Sequence, residues 1–220
     1  MPAAPQQLDA TPRTDALEAE AAEPARTTRL AVIVASVREG RFGPVVAEWF
    51  ARQATRHGGF AEVDLIDLAD HELPLAFPAF GSDPEAEVLR VRDGLARRLD
   101  AADGFVIVTP EYNHSFPASL KNTIDWFKPE WQAKAVGFVS YGGMGGGLRA
   151  VEQLRQVFAE LHAVTVRDVL SFHNAWDRFD AQGVPRDPEA TAAAAKGMLG
   201  QLDWWATALR EARARTPYGA

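Results

Sequence analysis

Five short apolar runs, each followed by a stretch with helical spacing, constrain this chain more than any other feature. The runs are Arg29–Ala35, Ala61–Ile66, Gly104–Val108, Ala135–Ser140 and Val164–Val169. The first, RLAVIVA, reads as a strand buried on both faces of a sheet. Helices are predicted over Pro44–His57, from Ser82 to about Ala101, over Pro117–Trp126, over Gly147–His162, and from Pro188 to about Ala212. Val45, Val46, Trp49 and Phe50 form the apolar stripe of the first helix, and Gly58-Gly59 ends it. Ser82-Asp83-Pro84-Glu85 reads as a capped start with an early proline.

Strands alternating with helices imply a parallel sheet covered on both faces. For five strands the natural choice is a flavodoxin-like three-layer α/β fold with strand order 2-1-3-4-5. Residues 1–28 are rich in Ala, Pro, Glu and Thr and nearly lack large apolar side chains, so a disordered arm is expected there. One domain over residues 29–214 and a short tail over 215–220 complete the division. A chain of 220 residues without cysteine has neither a disulfide framework nor a catalytic thiol. Its five scattered histidines lack metal-ligand spacing, so no metal site is expected. A net charge of −7 disfavours nucleic acid as a partner. No apolar run suits a membrane span, and no secretory h-region is evident, so a cytoplasmic protein is expected.

Three loops carry the chemistry, and all follow strands that end at one sheet edge. Ala35 to Pro44 leaves the first strand and enters a helix; Ser36, Arg38 and Arg41 with the helix N-terminus make a candidate phosphate site. Phe42 and Gly43 close that loop, with glycine allowing close backbone approach. The loop matches neither the dinucleotide glycine fingerprint nor the P-loop. A solvated turn whose arginines pair with surface acids is the plain alternative. The second loop, Pro110-Glu111-Tyr112-Asn113-His114-Ser115, lies between a strand and a helix start, where its backbone can frame a planar heterocycle. Ordinary turn formation accounts for the same residues, with Lys121 and Asp125 as a surface pair. The third loop, Ser140-Tyr141-Gly142-Gly143-Met144-Gly145-Gly146-Gly147, places five glycines in six positions, which suits backbone passing close to a flat ligand. A phosphate at loop one and a flat ring at loops two and three together describe an FMN site.

Over Arg29 to Leu170 the chain also resembles a known family. Ser36-x-Arg38-x-x-Arg41, then Pro110-Glu111-Tyr112-Asn113-His114-Ser115-x-Pro117 with Leu120-Lys121-Asn122-x-Ile124-Asp125-Trp126, then Val139-Ser140-Tyr141-Gly142-Gly143 are similar to the NADPH-dependent FMN reductases, which include quinone, azo-dye and chromate reductases. The chain departs from the family pattern at Ala35, where glycine is usual, and at Arg41, where many members have serine. The resemblance implies bound FMN, NADPH or NADH as co-substrate, and a small-molecule electron acceptor. It also implies a homodimer or homotetramer with Trp126 to Trp131 and the third helix near the interface. Chemistry at the flavin needs no protein acid or base, so no catalytic residue is assigned, and Glu111 and Asp125 are read as structural. A flavin carrier that passes electrons without oxidising NAD(P)H remains the alternative. Trp204 or Trp205 is read as core packing on the last helix; Trp176, like that pair, is also considered as a partner anchor.

Overall fold

The computed structural model describes residues 27–219. Strands β1 (Arg29–Val34), β2 (Glu62–Asp67), β3 (Gly104–Pro110), β4 (Ala135–Gly142) and β5 (Val164–His173) alternate with helices α1 (Gly43–His57), α2 (Ala86–Ala101), α3 (Ala118–Trp126), α4 (Leu148–Glu160) and α5 (Pro188–Arg215). The strands form one parallel sheet in the order β2-β1-β3-β4-β5, as the alternation implies. Of the expected arm, residues 1–26 lie outside the described part. Thr28 is buried and its hydroxyl donates to the Gly59 carbonyl.

Burial follows strand position. Every residue of β3 is buried, as is β1 after Arg29, because both faces of the central strands are covered. Alternate side chains of one strand enter different cores. Leu30, Val32 and Val34 join α1 and α5, where Phe50, Met198 and Leu202 are fully enclosed. Ala31 and Ile33 join α2, α3 and α4, with Leu99, Leu120 and Phe158. Trp131 belongs to that second core, packed against Phe105 and Phe158, so it takes no part in a surface contact. Trp204 and Trp205 depart from expectation in the opposite sense. They form an edge-to-face pair on α5 with centroids 4.9 Å apart, and Trp204 is 64% exposed.

Boundaries shift where local chemistry was misread. Neither Ser82 nor Asp83 caps α2, which starts at Ala86 behind an uncapped Glu85. The fifth strand continues four residues past Val169. Pairing jumps from Val136↔Thr165 to Phe138↔Val169, so β5 carries two extra residues, and regular pairing resumes at Val169, where the expected strand ends, and runs to His173.

Candidate functional site: a cleft at the carboxyl edge of the sheet

In the order β2-β1-β3 the connection after β1 runs to one side of the sheet and the connection after β3 to the other, and ligands bind at such a point because adjacent loops diverge from it. A cleft of about 520 Å³ opens there. Its first wall is Ser36, Arg38, Arg41 and Phe42 from the loop after β1. Pro110, Glu111 and Tyr112 follow β3, and Tyr141, Gly142 and Gly143 end β4. The three expected loops therefore meet.

Side-chain bonds lock the loops to one another. Ser119 at the start of α3 donates to the Ala35 carbonyl at 2.7 Å, fixing the exit from β1. Ser36 Oγ and the Tyr112 hydroxyl lie 2.9 Å apart and join loop one to loop two. Glu111 is nearly buried and pairs with Arg149 at 2.5 Å, while its other oxygen accepts from the Arg149 backbone N–H at 3.2 Å. A carboxylate in the first turn of α4 meets the positive end of the helix, so Glu111 clamps loop two to that helix.

The mouth of the cleft carries positive potential. Helix α1 begins at Phe42 with no side-chain cap and no acidic residue in its first turn. Its leading amides therefore have no partner within the helix, and Phe42, which precedes them, lines the cleft. Arg38 is exposed and pairs with no carboxylate among the described residues. Arg41 lines the cleft but holds Asp67 at 2.5 Å, which is the surface-pair alternative realised at one of the two arginines. Asp67 also accepts from the Ala69 N–H, tying Arg41 to the end of β2.

Five expected residues do not line the cleft: Gly43, which is packed against the Tyr141 hydroxyl and Val34, and Asn113, His114, Ser115 and Ser140. Asn113 and His114 are the centre of a two-residue turn, closed by reciprocal bonds between Tyr112 and Ser115 of 2.8 and 3.0 Å. Both centre residues have positive φ, 50° and 69°, as a type I′ turn requires. Gln153 of α4 grips the turn by donating to the His114 carbonyl and accepting from Ser115 Oγ. Ser140 is buried, and with Ser171 it donates to the Gly146 carbonyl at 2.8 Å.

The glycine run divides in two. Side chains at Gly146 and Gly147 would collide with Ser171 and Ser140, at 2.4 and 2.6 Å, and both residues have positive φ. These glycines serve the packing of the loop. Gly142 and Gly143 line the cleft, and a Cβ on Gly143 would lie 3.6 Å from the Trp176 ring.

Gly40, a glycine of loop one that allows close backbone approach, lines the cleft, whereas sequence reasoning missed Glu39, Ala175 and Trp176 as lining residues. Trp176, 65% exposed, stands on the 3-10 turn Ala175–Asp177 just beyond β5. Its position beyond a strand end at the same sheet edge was the available signal, and the misplaced end of β5 hid it. The Tyr141 hydroxyl is buried with Ser36 beside it, but the Ser36 hydroxyl is engaged by Tyr112 and no well-formed hydrogen bond reaches Tyr141 among the described residues; burial pushes this phenol well above its usual pKa. Among the described residues no cluster of three His, Asp or Glu side chains suits a metal ion, and no helix is long and apolar enough to cross a membrane.

The residues present fit a flavin mononucleotide. An uncapped helix start, the Ser36 hydroxyl and Arg38 supply donors for a dianionic phosphate. Side-chain-free backbone at Gly142 and Gly143, opposite Tyr112 and near Trp176, leaves flat space for a ring. Fold and site thus define a flavodoxin-like protein with a cleft at its switch point whose lining suits a flavin. A family model described as NADPH-dependent FMN reductase matches residues 28–177, and the chain belongs to that family, an oxidoreductase family whose cofactor is FMN. It is 37% identical over 135 residues to an NAD(P)H-dependent FMN reductase of Schizosaccharomyces pombe, spanning 60% of this chain and 66% of that one. It is 32% identical over 149 residues to a quinone reductase of Escherichia coli K12, spanning 63% and 73%. The flavoenzyme NAD(P)H:(acceptor) oxidoreductase FerB from Paracoccus denitrificans shares the fold, with TM-score 0.63, 24% identity, and coverage of 83% of this chain and 98% of that one.

Proposed function

We propose that the chain is an FMN-dependent NAD(P)H oxidoreductase that passes electrons to a small acceptor, a quinone, flavin or azo compound. The observation that carries this reading is the meeting of an uncapped helix start and three loops in one cleft at the β1/β3 switch point. Bound FMN supplies two-electron transfer between a nicotinamide and the acceptor. The chain's own residues do the placement. Ser36, Arg38 and the first turn of α1 bind the phosphate end. Glu111 and Gln153 brace loop two against α4, so the cleft wall at Tyr112 keeps its shape between substrates. Pinned at Gly146, loop three presents backbone at Gly142 and Gly143 to the ring.

With one open face beside Trp176, nicotinamide and acceptor use the same space in turn. Ping-pong kinetics follow. The reading includes a homodimer or homotetramer acting in the cytoplasm. An absorbance spectrum of the purified chain with FMN, then anaerobic titration with NADPH and NADH and addition of a quinone, tests the activity. Bleaching by a nicotinamide and recovery with quinone is expected, with parallel steady-state lines. Bound FMN that neither nicotinamide bleaches would favour an electron carrier instead. A chain that takes up no flavin would overturn both.

A further inference from the structure

Three side-chain polar atoms are buried without a partner among the described residues, on Asn122, Glu130 and Tyr141. Only Tyr141 lines the flavin cleft. It rises from the end of β4 on the α1 side of the sheet, and its ring meets Phe42 edge-on with centroids 6.2 Å apart. Its hydroxyl lies against the first turn of α1, where a Cβ on Gly43 would come within 2.8 Å of it. The residue is only 6% exposed. A buried hydroxyl left unpaired is destabilising, because it has given up its bonds to water for none in the protein. Its surroundings offer donors: leading amides of α1, the Arg41 guanidinium and the Ser36 and Tyr112 hydroxyls. The two hydroxyls can also accept, but they are engaged with each other at 2.9 Å, and the positive end of a helix favours an anionic acceptor for the Tyr141 hydroxyl.

We propose that the Tyr141 hydroxyl donates to the terminal phosphate of the flavin beneath the first turn of α1, and so sets the preference for FMN over riboflavin. This rests on the FMN reading above and moves Tyr141 from the ring end of the site to the phosphate end. Because burial raises its pKa, the phenol stays protonated, and a donor, throughout the neutral range. Two effects of opposite sign follow for Tyr141→Phe. Without flavin, the orphaned hydroxyl is gone and the chain is at least as stable. With flavin, a hydrogen bond to a charged group is lost.

The test titrates the flavin-free full-length parent and Tyr141→Phe with FMN and with riboflavin by flavin fluorescence, and melts both proteins without flavin. The variant is expected to bind FMN roughly tenfold to a hundredfold more weakly, to bind riboflavin as the parent does, and to melt no lower. FMN affinity within twofold of the parent, equal weakening toward both flavins, or a lower flavin-free melting temperature would each overturn the assignment. If the parent itself takes up no FMN, the proposed function falls and this inference with it. If the parent binds FMN and the variant binds it equally, only the role of Tyr141 falls.

Discussion

At the scale of single residues, the site depends on a few close approaches. Gly43 is one: an added Cβ would lie 2.8 Å from the Tyr141 hydroxyl oxygen and 3.0 Å from Val34 Cγ1. Overpacking there outweighs the ~0.5–1 kcal/mol that alanine gains over glycine in a helix. Gly43→Ala is expected to lower stability by roughly 1–2 kcal/mol in urea denaturation. Tyr141→Phe removes the atom in the way, so the double variant should recover about half of that loss; strict additivity would show that the two do not touch. Such contacts were only partly legible beforehand. Ser36, Arg38 and Arg41 stood out as a phosphate loop, but the commitment of Arg41 to Asp67 depends on where β2 ends, which no local pattern specifies. Asn113 and His114 read as loop backbone framing a ring. Their positive φ values are imposed by the Tyr112–Ser115 closure and by Gln153, 38 residues beyond Ser115.

At the scale of elements, the strand and helix order was legible because central strands buried on both faces leave unbroken apolar runs. Ends were less so. The strand expected to stop at Val169 runs on to His173 past a two-residue bulge, and Trp176 lies just beyond that unforeseen end. Burial of the last helix was misjudged because α5 is long and its apolar stripe weak; Met198, Leu199 and Leu202 face the sheet while Trp204 faces water. One element end carries a pH dependence. Lys134, buried at the start of β4, donates to the Leu99 and Asp100 carbonyls at the end of α2, both at 2.9 Å. Burial lowers its pKa from 10.5 to about 8. The folded chain therefore releases this proton at lower pH than the unfolded chain does, and the contribution of the site to stability rises between about pH 8 and 10.5. The stability of the parent relative to Lys134→Met is expected to increase by ~2 kcal/mol across that window. A flat difference between the two would show that the amine is not desolvated.

For the whole molecule, exposed apolar surface gathers on the segment between β2 and α2. Leu75 is 77% exposed, and Phe77 stacks on Trp126 of α3 with centroids 4.8 Å apart. The Trp126 indole donates to the Pro74 carbonyl, so segment and helix form one surface. An assembly of two or four 24.0 kDa chains is expected by light scattering, with Phe77→Ser shifting the mass toward one chain. A mass of one chain for the parent at micromolar concentration would contradict this. The two cores also differ in how they are assembled from the chain. The face containing α2, α3 and α4 is complete by Glu160, whereas α1, which starts the phosphate end of the cleft, packs against α5 at the far end of the sequence. At ~5–20 residues per second, ribosomal synthesis takes on the order of ten seconds to travel from the end of α1 to the start of α5. By the end of that interval the nascent chain has all three cleft-lining loops but still no backing for α1. Cofactor capture thus becomes an event at or after release from the ribosome, and a nascent chain stopped before Pro188 is left with an open apolar flank for chaperones to cover.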